Sequence, residues 1–170
     1  MQLRTNRLQI SNFELNDITE NYLSWLKCPE VTKYSRHRYL THSYESAFEY
    51  FQGFICSGNQ FLKLCLADSG IMIGTMTVYT NPVDRVSDFG IMIGERSCWG
   101  LGYGSEAWIA VVTQYSKQRF SRKLTGGTLS NNTPMIRLFE RSGFVLEGVR
   151  KQHQRFEDKY LDVFQYFKMC

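Results

Sequence analysis

Polar and apolar residues alternate over Arg7-Leu8-Gln9-Ile10, which predicts a half-buried strand. The period then lengthens. Ile18, Tyr22, Trp25 and Leu26 recur three and four apart and predict a helix capped by Asn16 or Asp17. Cys28-Pro29 ends it, because proline forces the residue before it out of the α region. Ser43 caps a second helix carrying Tyr44, Ala47, Phe48, Phe51 and Ile55 on one face, and Gly58-Asn59 closes it. Residues 61–66 and 71–79 read as a hairpin about Asp68-Ser69-Gly70, and Asn81-Pro82 makes another turn. An apolar strand ending in Phe89-Gly90-Ile91-Met92-Ile93 follows, then a helical period through Ala107, Trp108, Val111, Val112 and Tyr115. Lys123–Leu129 is a strand candidate weakened by two glycines. Thr133-Pro134 opens a short helix over 135–141, which Gly143 stops, and strands over 144–155 and 160–168 close the chain. Neither a repeat nor a linker interrupts this order, so one domain over residues 1–170 is expected.

Between the Ile93 strand and the next helix lies Trp99-Gly100-Leu101-Gly102-Tyr103-Gly104-Ser105. Glycines at alternate positions allow positive φ and close approach, and a helix start supplies unpaired N–H donors and a positive dipole end. A strand, a glycine turn and a helix start together suit a bound phosphate. A plain tight turn accounts for the glycines alone equally well. A dinucleotide-binding unit fits poorly, because the spacing is G-x-G-x-G and the turn comes after an antiparallel-looking β region.

Composition narrows the class. A chain of 170 residues with 43% hydrophobic and 15% aromatic content can bury a core without disulfide or metal support. The five cysteines (Cys28, Cys56, Cys65, Cys98, Cys170) are scattered and odd in number, which favours reduced thiols. His37, His42 and His153 form no metal-binding spacing, so no metal is expected. A formal charge of +4 suits a phosphate-bearing ligand but is no basic stripe, so no nucleic-acid partner is expected. No apolar run reaches membrane-spanning length, and no basic stretch with an apolar signal core opens the chain. A cytoplasmic protein without membrane attachment is the expectation.

The glycine run, Asn131-Asn132-Thr133-Pro134-Met135-Ile136-Arg137-Leu138-Phe139-Glu140-Arg141-Ser142-Gly143-Phe144, and Glu147-Gly148 together resemble the GNAT acetyltransferase family. Arg4-Thr5-Asn6-Arg7-Leu8 and Tyr22-Leu23-Ser24-Trp25-Leu26 are similar to its RimJ/RimL-like branch, the ribosomal-protein N-terminal acetyltransferases, which includes members that acetylate amino sugars. The resemblance implies an α/β GNAT fold: a mixed, twisted seven-stranded sheet flanked by about four helices, with strands four and five splayed apart. Acetyl-CoA as co-substrate would enter that split. The backbone of Ile91, Met92 and Ile93 would pair with its pantetheine amides, and amides from Gly100, Leu101, Gly102, Tyr103, Gly104 and Ser105 would hold its diphosphate. Asn132 would face the pantetheine end, Phe139 and Arg141 would line the cofactor, and Trp99 would pack against the turn. A ligand bearing amides can satisfy the groups that splayed strands leave unpaired.

The catalytic groups depart from the family pattern. Phe139 stands where many members carry a tyrosine general acid, and Gly127 lies near where many carry a glutamate. Asp88 is the remaining candidate base, directly or through water, and a solvated strand charge or a partner for Arg85 explains it equally. Sparse proton-transfer equipment favours an acceptor of low pKa, a protein N-terminus or an amino sugar. An α-amine is neutral in roughly a tenth of molecules at pH 7, whereas a lysine costs more than about 4 kcal/mol to neutralise. Tyr34, Arg36 and Tyr79, with Arg38, are acceptor-binding candidates, and an ordinary solvated loop and an edge aromatic explain them as well. His37 and His42 lie in the same connector and read as surface histidines. The expected activity is acetyl transfer to a primary amine in a ternary complex, the alternative a weak or inactive acyl-CoA-binding protein. Phe164, Tyr166 and Phe167 suit either a buried hairpin in a monomer or a homodimer interface.

Overall fold

A computed structural model describes residues 1–117 and 121–170. In chain order the elements are β1 (Gln2–Arg4), β2 (Leu8–Asn12), α1 (Glu20–Lys27), α2 (Pro29–Thr32), α3 (Tyr44–Ser57), β3 (Gln60–Leu66), β4 (Met72–Asn81), β5 (Val86–Ile93), α4 (Tyr103–Lys117), β6 (Lys123–Leu129), α5 (Thr133–Arg141), β7 (Val145–Phe156) and β8 (Lys159–Met169). The strands form one mixed sheet in the order β1-β2-β3-β4-β5-β6-β8-β7.

The sheet has the mixed character expected, with eight strands where seven were counted. The additional strand is β1, antiparallel to β2 with Leu3 opposite Ile10. Three residues are too short to show an alternation of their own. A second addition is α2, for which Pro29 does double duty: it stops α1 at Cys28 and occupies the first turn of the next helix. The parallel ladder between β5 and β6 covers Val86–Asp88 against Lys123–Thr125. Beyond it β5 runs on to Ile93 and β6 to Leu129. Among the described residues no helix is long and apolar enough to cross a membrane.

The chain divides into two compact units. The first comprises Met1–Tyr79 and Gly90–Val111, the second Thr80–Phe89 and Val112–Cys170. The core of the first is aromatic. Phe13 and Phe54 both stack on Phe61, with ring centroids 4.3 and 5.0 Å apart, while Tyr22 and Trp25 pack edge-on to each other. Two expectations in this unit are corrected. Thr19, not Asn16 or Asp17, caps α1, its hydroxyl accepting from the Tyr22 N–H. Asp17 is already engaged, accepting from the Glu14 N–H and the Lys63 ammonium. In α3 the buried face is Ala47 and Phe54, with Phe48, Tyr50 and Phe51 packed beside it, while Tyr44 and Ile55 point to solvent. Apolar residues surround this helix, so periodicity alone admits more than one face, and the stack of Phe54 on Phe61 selects one. The Ser43 cap and the left-handed Gly58 stop are as expected.

In the second unit β8 pairs along its length with β6, and β7 with β8. The weakened strand candidate is therefore a full strand, held between partners despite Gly126 and Gly127. Gly126 is required by close approach: a methyl there would fall 2.7 Å from Phe139 Cε1. Phe139 in turn stacks on Tyr166 at 4.6 Å with the rings nearly parallel. The helical face expected downstream of the glycine turn, from Ala107 to Tyr115, is buried throughout.

Candidate functional site

In the first unit, the glycine turn leaves β5 and enters α4 with Gly100 at φ +75° and Gly102 at φ +85°, backbone that other residues rarely adopt. Two carbonyls of this stretch have partners: Leu101 O accepts from Arg7 Nη1 at 2.9 Å, and Gly102 O from the Glu106 N–H at 3.0 Å. The N–H groups do not. Among the described residues, the six from Gly100 to Ser105 donate to no protein acceptor. Six adjacent open donors at a helix start are a site for an anion.

Side chains fix this turn from outside. The Glu106 carboxylate accepts from Thr5 Oγ1 at 2.6 Å, from the Arg7 N–H at 3.0 Å and from Arg7 Nε at 2.7 Å. Arg7 also lies over the Tyr103 ring at 4.3 Å. Despite the desolvation Glu106 suffers, the hydrogen bonds from Thr5 and Arg7 hold its carboxyl below the ordinary range. Trp99 is 41% exposed, and its indole N–H donates to Ile93 O at 2.8 Å, tying the turn to the end of β5. Ile91, Met92 and Ile93 are half-buried. Gly104 sits in the first turn of α4, where an added methyl would meet Ile93 Cγ1 at 3.4 Å.

The acceptor-binding candidates also belong to this unit. Arg36 opens a 3₁₀ turn, Arg36–Tyr39, and is exposed, while Tyr34 is half-buried with the Lys33 ammonium 5.4 Å from its ring. Tyr79, near the end of β4, shares a hydrogen bond with the Tyr50 hydroxyl at 3.2 Å and packs on Phe54. Beside Tyr50 is a cavity of about 80 Å³ whose lining includes Tyr22, His37, His42 and Ser46. The two histidines, read from sequence as surface residues, face each other at 5.6 Å, and His37 is partly buried. Burial first, then the neighbouring His42, pushes the His37 imidazole below the ordinary histidine range. No spacing signal in the sequence brings Tyr50 to this group. Its rotation on α3 does.

In the second unit, Asp88 lies on β5 opposite Thr125, whose hydroxyl donates to Asp88 Oδ2 at 2.8 Å. The carboxylate has exposed surface yet is crowded by protein. Lost hydration pushes its carboxyl above the ordinary range, and the Thr125 hydrogen bond pulls it partly back. Thr125 is thus a hydrogen-bond partner of Asp88. Asn132 is the cap of α5, accepting from the Met135 N–H and donating to Thr128 Oγ1 at 2.9 Å. Arg141 is exposed at the end of α5. Phe139, the further residue expected along the cofactor, is fully buried with its ring stacked on Tyr166.

A turn of open amides, leading from a strand of a mixed sheet into a helix, has the geometry of an anion site in an α/β protein. The chain belongs to the acetyltransferase (GNAT) domain family, whose family model matches residues 7–145, and it is an acetyltransferase of that family. No curated protein sequence matches significantly. Solved structures share the fold. A GNAT-family acetyltransferase from Bacillus anthracis superposes with a TM-score of 0.85 at 21% identity, over 99% of this chain and 98% of that one. The RimL ribosomal L7/L12 α-N-protein acetyltransferase in complex with coenzyme A gives 0.86 at 18% identity, over 97% and 95%. Spermidine N-acetyltransferase from Vibrio cholerae, in complex with CoA and spermine, gives 0.86 at 17% identity, over 97% and 96%.

Proposed function

We propose that this protein is an acetyl-CoA-dependent N-acetyltransferase acting on a primary amine of low pKa, a protein N-terminus or an amino sugar. The open amides from Gly100 to Ser105 carry the reading, since they fit a diphosphate in donor number, backbone conformation and helix polarity. Arg7, ion-paired with Glu106, braces the turn through its hydrogen bond to Leu101 O. The Ile91–Ile93 backbone pairs with the pantetheine amides in this reading, with Trp99 fixing the Ile93 carbonyl. Asn132 and Arg141 are the cofactor contacts proposed from the second unit, and Tyr34, Arg36 and Tyr79 the acceptor contacts from the first. Acetyl-CoA, bound as co-substrate, would supply the acetyl thioester. The amine nitrogen loses a proton to Asp88 through water, its lone pair bonds to the acetyl carbon as the C–S bond breaks, and its second proton goes through solvent to the departing thiolate. Asp88 is equipped for this task because crowding makes it a stronger base than an ordinary aspartate.

The structures of acetyltransferases that act on a ribosomal protein N-terminus and on spermidine support an amine acceptor. Spermidine is the less suitable of these here, because the connector carrying Lys33, Arg36 and Arg38 is basic. A cytoplasmic site of action, where the scattered cysteines would stay reduced, is part of this reading. A second reading, an acyl-CoA-binding protein without useful turnover, draws support from Phe139, a buried ring with no proton to give. Thiol release from acetyl-CoA separates the two. Release with a peptide bearing N-terminal serine or with glucosamine, and little with free lysine at pH 7, is the expected result. Binding of acetyl-CoA without release by any amine would favour the second reading.

A further inference from the structure

Gly127 and Gln165 stand directly opposite each other on β6 and β8. A methyl placed on Gly127 would fall 2.7 Å from Gln165 Nε2 and 3.3 Å from both Cδ and Oε1. The carboxamide therefore lies over the bare Cα of Gly127, in space any other residue would fill. Gln165 is half-buried, and among the described residues its carboxamide makes no hydrogen bond to protein. A glutamine side chain offers two N–H donors and an acceptor oxygen. Here the group lies against the strand while its hydrogen-bonding capacity stays open to a ligand.

The face on which it lies is informative. Thr125 and Gly127 are two residues apart on β6 and so share a face. Asp88 reaches Thr125 on that face through the 2.8 Å hydrogen bond, and Gln165 covers Gly127 on it. A carboxylate and a carboxamide thus lean onto one strand at points roughly 7 Å apart, room for an amine nitrogen and one water. Lys123, the next residue along this row, is paired with Glu147 and lies over the Phe167 ring at 4.9 Å. Its charge is matched locally and does not bar a cationic amine.

We propose that Gln165 positions the acceptor, its Oε1 accepting a hydrogen bond from the incoming amine, and that position 127 is glycine so that this carboxamide can lie there. The inference rests on the reading of this chain as an amine acetyltransferase, and the experiment keeps the two apart. Steady-state kinetics would be measured with an N-terminal-serine tripeptide, glucosamine and spermidine as probe amines, for wild type, Gln165→Leu, Gln165→Glu and Gly127→Ala. Gln165→Leu keeps the bulk and removes the acceptor. It should raise KM for the amine about tenfold or more, with KM for acetyl-CoA within twofold of wild type. Gln165→Glu restores an acceptor oxygen and should return the amine KM to within about threefold, which a purely structural role would not do. Gly127→Ala displaces the carboxamide without altering Gln165 and should raise the amine KM in the same sense, so it carries the test even where Gln165→Leu does not fold. An unchanged amine KM in Gln165→Leu, or amine and acetyl-CoA constants rising together, overturns the proposal. Wild-type protein that turns over none of the three amines overturns the acceptor class proposed above, and this proposal with it.

Discussion

Asp88 shows at the scale of one residue how environment sets a role. A carboxyl whose pKa is raised in the folded state stabilises the fold while it is protonated. That contribution is complete below the unfolded value near 4 and is lost as pH rises through the raised folded value. Asp88→Asn should therefore make the protein somewhat more stable than wild type at pH 7, with the gap closing below about pH 4. Urea melts of both proteins across pH 3 to 8 would check this. In the same variant kcat should fall at least tenfold, and the acid limb of the wild-type pH–rate profile should flatten. A less stable Asp88→Asn at neutral pH would mean that the Thr125 hydrogen bond outweighs the lost hydration. The sequence places Asp88 three residues before Ile91, on the apolar strand that leads to the glycine turn. Its partner was not legible there, since Thr125 is distant in sequence and only the short parallel ladder of β5 with β6 brings the two together. Gln165 escaped notice for the same reason: nothing local to it signals that a glycine lies opposite on the neighbouring strand.

Legibility at the scale of elements depended on whether the deciding interaction was local. The Ser43 cap, the Gly58 stop and the turn at Gly100 and Gly102 are set by backbone geometry within a few residues, and all were readable. The cap of α1 and the buried face of α3 were misjudged because Lys63 competes for Asp17 and Phe61 selects Phe54, both from β3. The glycine turn yields the clearest test at this scale. A methyl at Gly100 meets nothing within 4 Å, so Gly100→Ala acts through its φ of +75° alone. The strain should cost roughly 1 kcal/mol of stability, visible as a lower urea midpoint. Rotating the flanking amides to relieve it misaims the donors, so KM for acetyl-CoA should rise about tenfold while KM for the amine changes little. An unchanged acetyl-CoA constant in a folded Gly100→Ala protein would count against the diphosphate reading of this turn.

The whole molecule raises the question of whether its two compact units unfold separately. Their boundary falls between Tyr79 and Thr80, between Phe89 and Gly90, and between Val111 and Val112. Each of these points lies inside a regular element, β4, β5 and α4 respectively. Melting one unit alone would break two strands and a fifteen-residue helix in mid-course, forfeiting hydrogen bonds and burial on both sides of each break. One cooperative transition is therefore expected on heating, with circular dichroism and tryptophan fluorescence giving coincident curves. Ligand linkage sharpens the measurement. At about a hundred times its dissociation constant, acetyl-CoA adds about 2.7 kcal/mol to the state that binds it, and a chain of this size should gain roughly 5 to 10 °C in Tm. If unfolding is cooperative, that shift moves the entire transition, even though the proposed diphosphate turn belongs to the first unit alone. A transition that splits, with only one part moving as acetyl-CoA is added, would show that the continuous elements do not couple the units.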